Sequence, residues 1–143
     1  MEQRSLSREC VMSLCETAAR MRQMSYTPYS HFRVGAALLA EDGTVYTGCN
    51  IENAAYTPTN CAERTAFFKA VSEGQRHFTA IAVCGGPEDG ELKYCPPCGV
   101  CRQVMAEFCG RDFLIFLAKS GTDYETHTLG ELFPEGFTLD CPE

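Results

Sequence analysis

Across residues 7–24, apolar side chains fall at Val11, Leu14, Cys15, Ala18, Ala19 and Met21, the spacing of one helix face. Ser5 or Ser7 can cap the start of that helix. Pro28 marks the loop that follows. Residues 34–40 are an apolar run of strand length. Asp42-Gly43 is a hairpin signal, and residues 44–47 resume as a strand. A second helix is predicted from near Cys61 to Gly74, a glycine of the kind that ends helices. Residues 79–84 read as a fully buried strand, and residues 85–95 as a loop rich in Gly, Pro and acidic side chains. A third helix is predicted over residues 98–108, ended by Gly110. Residues 113–118 read as another buried strand, 124–128 as a short edge strand and 130–132 as a helical turn. Helices that alternate with buried strands imply an α/β fold with a mixed sheet covered on both faces.

A chain of 143 residues is the size of one domain, so residues 1–143 are read as a single unit. Its 45% hydrophobic content can fill a core. No apolar stretch approaches the roughly 18 residues of a membrane span, and the first ten residues are polar and charged. No membrane partner and no secretory leader are expected, which points to the cytoplasm. The formal net charge of −7 argues against nucleic acid as a partner, because phosphate contacts need a basic face. A small uncharged substrate suits the balance better. Ten cysteines would suggest a disulfide framework in a secreted chain. Without a leader, a reduced compartment is the better reading.

Three of those cysteines carry the chemistry. Cys61-Ala62-Glu63 and Pro97-Cys98-Gly99-Val100-Cys101 offer three thiolates, with a carboxylate two residues from the first. Three protein ligands leave a tetrahedral zinc with one open position, which separates a catalytic site from a structural one. A water held there loses its proton near neutral pH, and Glu63 is the nearest candidate to move protons. Both words fall at predicted helix starts, where unpaired N–H groups favour negative charge and ease thiol ionisation. Residues two apart share no face of a regular helix, so Cys61 must sit at or just outside the first turn. Arg64 and Arg102 lie three and four residues after a ligand and are expected to donate to the thiolates. Cys95 makes a second CxxC with Cys98, but the Pro97-Cys98 pairing favours Cys98 and Cys101. The other cysteines (Cys10, Cys15, Cys49, Cys84, Cys95, Cys109, Cys141) read as buried small hydrophobes or incidental thiols. His31, His77 and His127 are not needed as ligands. Glu88-Asp89 reads as a solvated loop face.

A ligand-x-Glu followed by Pro-Cys-x-x-Cys is the signature of the zinc deaminases of nucleosides and nucleobases. Gly48-Cys49-Asn50-Ile51-Glu52-Asn53-Ala54, Cys61-Ala62-Glu63-Arg64-Thr65-Ala66 and Pro97-Cys98-Gly99-Val100-Cys101-Arg102-Gln103-Val104 narrow the match. Together they resemble the small cytidine deaminase family, over roughly residues 26–137. The resemblance implies a three-layer α/β/α domain with a mixed five-stranded sheet. It implies one zinc per subunit and hydrolysis of free cytidine and 2′-deoxycytidine to the uracil nucleosides, with release of ammonia, in pyrimidine salvage. Glu63 would take the proton of the attacking water and deliver protons to ring N3 and the leaving amino group.

Asn50 and Glu52 are two apart on an extended segment, so both point to one face; the resemblance assigns them to the ribose, particularly its 3′-hydroxyl. Phe32, with Val34 at the same spacing, resembles the family's base-stacking aromatic. The resemblance also implies that Ala62 N–H and the Pro97 carbonyl contact the pyrimidine edge. Tyr56 and Phe137 match places that reach a neighbouring subunit's pocket, and the resemblance implies a homotetramer. Rival readings are a deaminase of an antibiotic nucleoside or of cytosine in nucleic acid, and a structural zinc module with a fourth ligand.

Overall fold

In the computed structural model, which describes residues 6–139, the elements are α1 (Arg8–Met21), β1 (Phe32–Ala40), β2 (Val45–Cys49) and α2 (Ala62–Ser72). There follow β3 (Phe78–Pro87), α3 (Gly99–Phe108), β4 (Leu114–Ala118), β5 (Tyr124–Thr128) and α4 (Leu129–Leu132). A 3₁₀ turn, Arg22–Met24, extends α1. Ser5 and Cys141 lie outside the described residues. Ser7 is the N-cap of α1, its hydroxyl accepting from Cys10 N at 3.1 Å.

The strands form one mixed five-stranded sheet in the order β2-β1-β3-β4-β5. β3 and β4 are parallel, with α3 as their crossover; the other neighbours are antiparallel. Alternate residues of each inner strand face opposite layers, as the two-residue strand period requires. On one face Ala36, Leu38, Ile81, Val83, Ile115 and Leu117 pack beneath α2 and α3, around Phe67 and Met105. On the other, Ala37, Leu39, Ala80, Ala82, Phe116 and Ala118 meet Val11, Leu14, Cys15 and Ala18 of α1. These are the three layers expected from the sequence.

Two strands are longer than their apolar runs. β2 continues to Cys49, and β3 runs through Gly85 and Gly86 to Pro87, where the sequence suggests a loop. Glycine here allows close approach and does not end the strand. A Cβ at Gly85 would lie 2.8 Å from Cys95 Sγ, and one at Gly86 2.8 Å from Glu91 O. The loop that leads to Cys98 therefore lies directly over the end of β3. Register brings the start of β1, the end of β2 and the end of β3 to one edge, with Gly35 opposite Cys49 and Phe32 opposite Pro87.

Gly48 fixes how α2 lies on this edge. A Cβ there would sit 2.3 Å from Ala62 O and 2.7 Å from Ala66 N, both helix backbone. Such contacts can be relieved only by moving α2. Gly48→Ala is expected to cost about 2–3 kcal/mol of stability, as overpacking does, seen as a lower urea midpoint.

Candidate metal centre

Two helix starts meet at the edge just described. Cys61 is the N-cap of α2, with extended backbone (φ −76°, ψ 155°), and Cys98 is the N-cap of α3 (φ −67°, ψ 169°). Neither caps its helix with its own side chain, so both sulfurs are free to face each other. Cys61 thus stands outside the helical turn that carries Glu63, as the two-residue spacing demands. Cys101 lies in the first turn of α3, and its amide and carbonyl follow helical geometry.

The three Sγ atoms lie within 4.8 Å of one another. Cys61 and Cys98 are 3.8 Å apart, Cys98 and Cys101 3.5 Å. Cys101 is buried, Cys61 partly so, and Cys98 exposed. Among the described residues the cluster has these three members and no fourth. Glu63 is buried at 5% exposure in the first turn of α2. Burial pushes its carboxyl up to about 7, a value at which it can both take and give a proton near neutral pH.

Arg64 Nη2 donates to Cys61 Sγ at 3.1 Å. Hydrogen bonding from Cys101, and then from Arg64, holds the Cys61 thiol well below its ordinary value. The Cys101 thiol is raised in return, its proton being held against Cys61. Arg102 behaves differently from expectation. Its Nε donates to Pro97 O at 2.7 Å, and Nη1 donates to Leu132 O. No hydrogen bond from it to Cys98 Sγ occurs among the described residues. From the first turn of α3 the side chain reaches back past the sulfur to the carbonyl ahead of it. Arg102 thereby ties the Pro97 carbonyl to the last residue of α4.

Thr65 has a place that spacing did not reveal: its Oγ1 lies 3.0 Å from Cys61 O and 3.1 Å from Cys49 O, joining the ligand segment to β2. A hydroxyl four residues after an N-cap is the available signal. Asn50 Oδ1 accepts from Val34 N at 2.9 Å, and its Nδ2 donates to Phe32 O at 2.8 Å. Glu52 Oε1 accepts from Tyr29 N (3.0 Å) and Ser30 N (3.1 Å), and Oε2 accepts from the Ser30 hydroxyl. Phe32, Val34, Asn50 and Glu52 are thus one connected group. Ala62 is buried beside Glu63. Tyr56 (76% exposed) and Phe137 (66% exposed) stand away from the chain's own core. Phe137 O accepts from Gln103 Nε2 at 2.9 Å. Burial pushes the thiols of Cys15, Cys49, Cys84, Cys95 and Cys109 up, which leaves them poor nucleophiles and ligands.

Residues 8–117 match the family described as the cytidine and deoxycytidylate deaminase zinc-binding region. The chain belongs to this cytidine deaminase family. A cytidine deaminase of Sporosarcina psychrophila is 53% identical over 130 residues, 91% of this chain and 93% of the relative. One from Halalkalibacterium halodurans is 50% identical, over 89% of this chain and 93% of the relative. The solved structure of the cytidine deaminase from Burkholderia pseudomallei superposes with a TM-score of 0.78. It is 45% identical and matches 87% of this chain and 97% of that one.

The zinc that the family's name implies fits the residues present. With Zn–S bonds of about 2.3 Å, tetrahedral sulfurs stand about 3.8 Å apart. The observed separations of 3.8 and 3.5 Å are close to that edge length. Cys61, Cys98 and Cys101 are the residues that would hold the ion. Arg64→Ala should weaken its retention about 10–100-fold, as loss of a group bonded to a ligand does. Competition with a chelator measures this directly.

Proposed function

We propose that this chain hydrolyses the exocyclic amino group of cytidine and 2′-deoxycytidine, consuming water and releasing ammonia and a uracil nucleoside. One observation carries the reading: three sulfurs at tetrahedral spacing, with no fourth ligand among the described residues, beside a buried carboxyl raised to about 7. Zinc, when bound by these sulfurs, supplies a Lewis acid that makes a water acidic near neutral pH.

The chain's own groups supply the rest. Glu63 accepts one proton of the attacking water and passes it to ring N3, then takes the second from the new C4 hydroxyl and gives it to the departing amine. Its burial keeps bulk water from taking over that proton traffic. Arg64 offsets the negative charge of the thiolates, which would otherwise weaken the site's acidity. The Ala62 N–H, at the free N-terminus of α2, and the Pro97 carbonyl, fixed by Arg102, are suited to the donor–acceptor edge of the pyrimidine.

A count of hydrogen bonds supports a sugar hydroxyl at Asn50 and Glu52. The Asn50 amide has two N–H donors, of which one is used. The Glu52 carboxylate has about four acceptor positions, of which three are used. A hydroxyl both gives and takes a hydrogen bond, which matches what remains. Phe32, held by both its N–H and its carbonyl, is the aromatic that would lie on the base, with Val34 beside it.

Residues 1–143 act as one domain, in a homotetramer in which Tyr56 and Phe137 cover neighbouring sites. Their exposure, which burial in a single chain does not explain, supports this. No helix among the described residues is long and apolar enough to cross a membrane. All nine described cysteines are free thiols, which suits a reducing, cytoplasmic setting and pyrimidine salvage.

Purified protein mixed with cytidine should lower the pyrimidine absorbance, and a chelator should abolish the fall. An absent or chelator-insensitive change would reject this reading. Light scattering would test the tetramer, a monomeric mass at working concentration counting against it.

A further inference from the structure

We propose that Glu88 is a positioning residue that sets Phe32 for the base, an inference that rests on the placing of Phe32 proposed above. Phe32 is gripped from two sides. From the β2 side, Glu52 holds Ser30, and the Ser30 hydroxyl accepts from Phe32 N at 3.0 Å. Asn50 holds the Phe32 carbonyl. From the β3 side, beyond the strand pairing of Phe32 with Pro87, the side-chain grip comes from Glu88. Its backbone N–H donates to His31 O at 2.7 Å. Its carboxylate accepts from Arg33 Nη2 at 2.9 Å and lies 3.4 Å from His31 Nδ1. One residue thus engages both neighbours of Phe32.

The backbone shows why that grip is needed. His31 has φ 56°, a left-handed conformation that a side chain with a Cβ adopts at a cost. Such a conformation persists only where its surroundings hold it, and functional sites are where it recurs. The turn at His31 rotates Phe32 into register opposite Pro87, next to Glu88. Arg33 depends on the same carboxylate. Its Nε is buried without a hydrogen-bond partner, and Glu88 is the one side chain that receives its guanidinium among the described hydrogen bonds. Removing Glu88 leaves that half-buried charge unmatched.

The fold itself does not hang on Glu88. Arg22, at the end of α1, donates to Arg33 O (3.0 Å), Gly86 O (3.1 Å) and Pro87 O (3.2 Å), so it binds β1 to β3 at this level. Glu88→Ala keeps these bonds and its own backbone N–H. The segment should remain in place but lose its fixed angle.

The test is a double-mutant cycle on the zinc-loaded enzyme with cytidine as substrate. Glu88→Ala is expected to raise KM about 5-fold, the upper range for a half-exposed pair, with kcat and zinc content unchanged and the urea midpoint only slightly lowered. Glu88→Gln, which keeps the size and an acceptor oxygen, should lie between. Phe32→Ala should raise KM further, and in that background Glu88→Ala should add nothing. If Phe32→Ala raises KM while Glu88→Ala does not, or if the two effects multiply in full, the role of Glu88 is refuted. If Phe32→Ala leaves KM unchanged, the base contact itself is wrong, and the Glu88 proposal falls with it.

Discussion

Replacing Glu63 with Gln is expected to lower kcat about 10³-fold while zinc content stays at one per chain. General acid–base catalysis is worth about 10²–10⁴-fold. In the proposed mechanism one carboxyl serves both the water and the leaving group, so no second group takes over either half. A 10³-fold loss corresponds to about 4 kcal/mol of transition-state stabilisation. Gln keeps the shape of the side chain, so the packing at 5% exposure is preserved. Because the site disfavours a charged carboxylate there, the neutral amide should not lower stability. KM should change little, since the proton transfers belong to the chemical step. Retained turnover in a zinc-replete variant would show that some other group moves the protons.

Much of this site was legible because ligand chemistry and helix starts coincide. Cys61 had to precede its helix for Glu63 to face the same spot, and it is an N-cap with extended backbone. The sheet was legible because β1, β3 and β4 are apolar on both faces, which only a covered sheet allows. What sequence pattern missed has a common cause: it involves side-chain and packing contacts that follow no period. Arg102 is at the right spacing for a sulfur, yet Pro97 O and Leu132 O compete for it and win. The carbonyls just ahead of α3 and at the end of α4 are the acceptors its guanidinium meets. Glu88 reads as solvated because its loop is acidic, but Arg33 and His31 come to it from β1, more than fifty residues away. Gly85-Gly86 looks like a strand end because glycine is a poor strand former; only the nearness of Cys95 and Glu91 explains it.

Cys98→Ala should abolish activity and leave zinc well below one per chain, whereas Cys95→Ala should retain both. The pair decides between two overlapping CxxC words. Cys98 stands between the other two sulfurs, 3.8 Å from one and 3.5 Å from the other. Without it the remaining two thiols cannot enclose a tetrahedral ion, and a two-ligand site exchanges zinc freely with chelators. Cys95 precedes Pro96-Pro97, lies against Gly85 and has a thiol pushed up by burial. Its replacement should cost only about 1 kcal/mol, the usual effect of a single substitution. The consequence extends to stability. A ligand that binds the folded chain alone stabilises it by mass action, about 4 kcal/mol at a thousandfold excess over Kd. Chelation should therefore lower the Tm of the parent and of Cys95→Ala by several degrees, and leave Cys98→Ala, which has little zinc to lose, unmoved. If instead Cys95→Ala lost its zinc while Cys98→Ala kept it, the metal would belong to a different set of sulfurs, and the proposed site would be wrong.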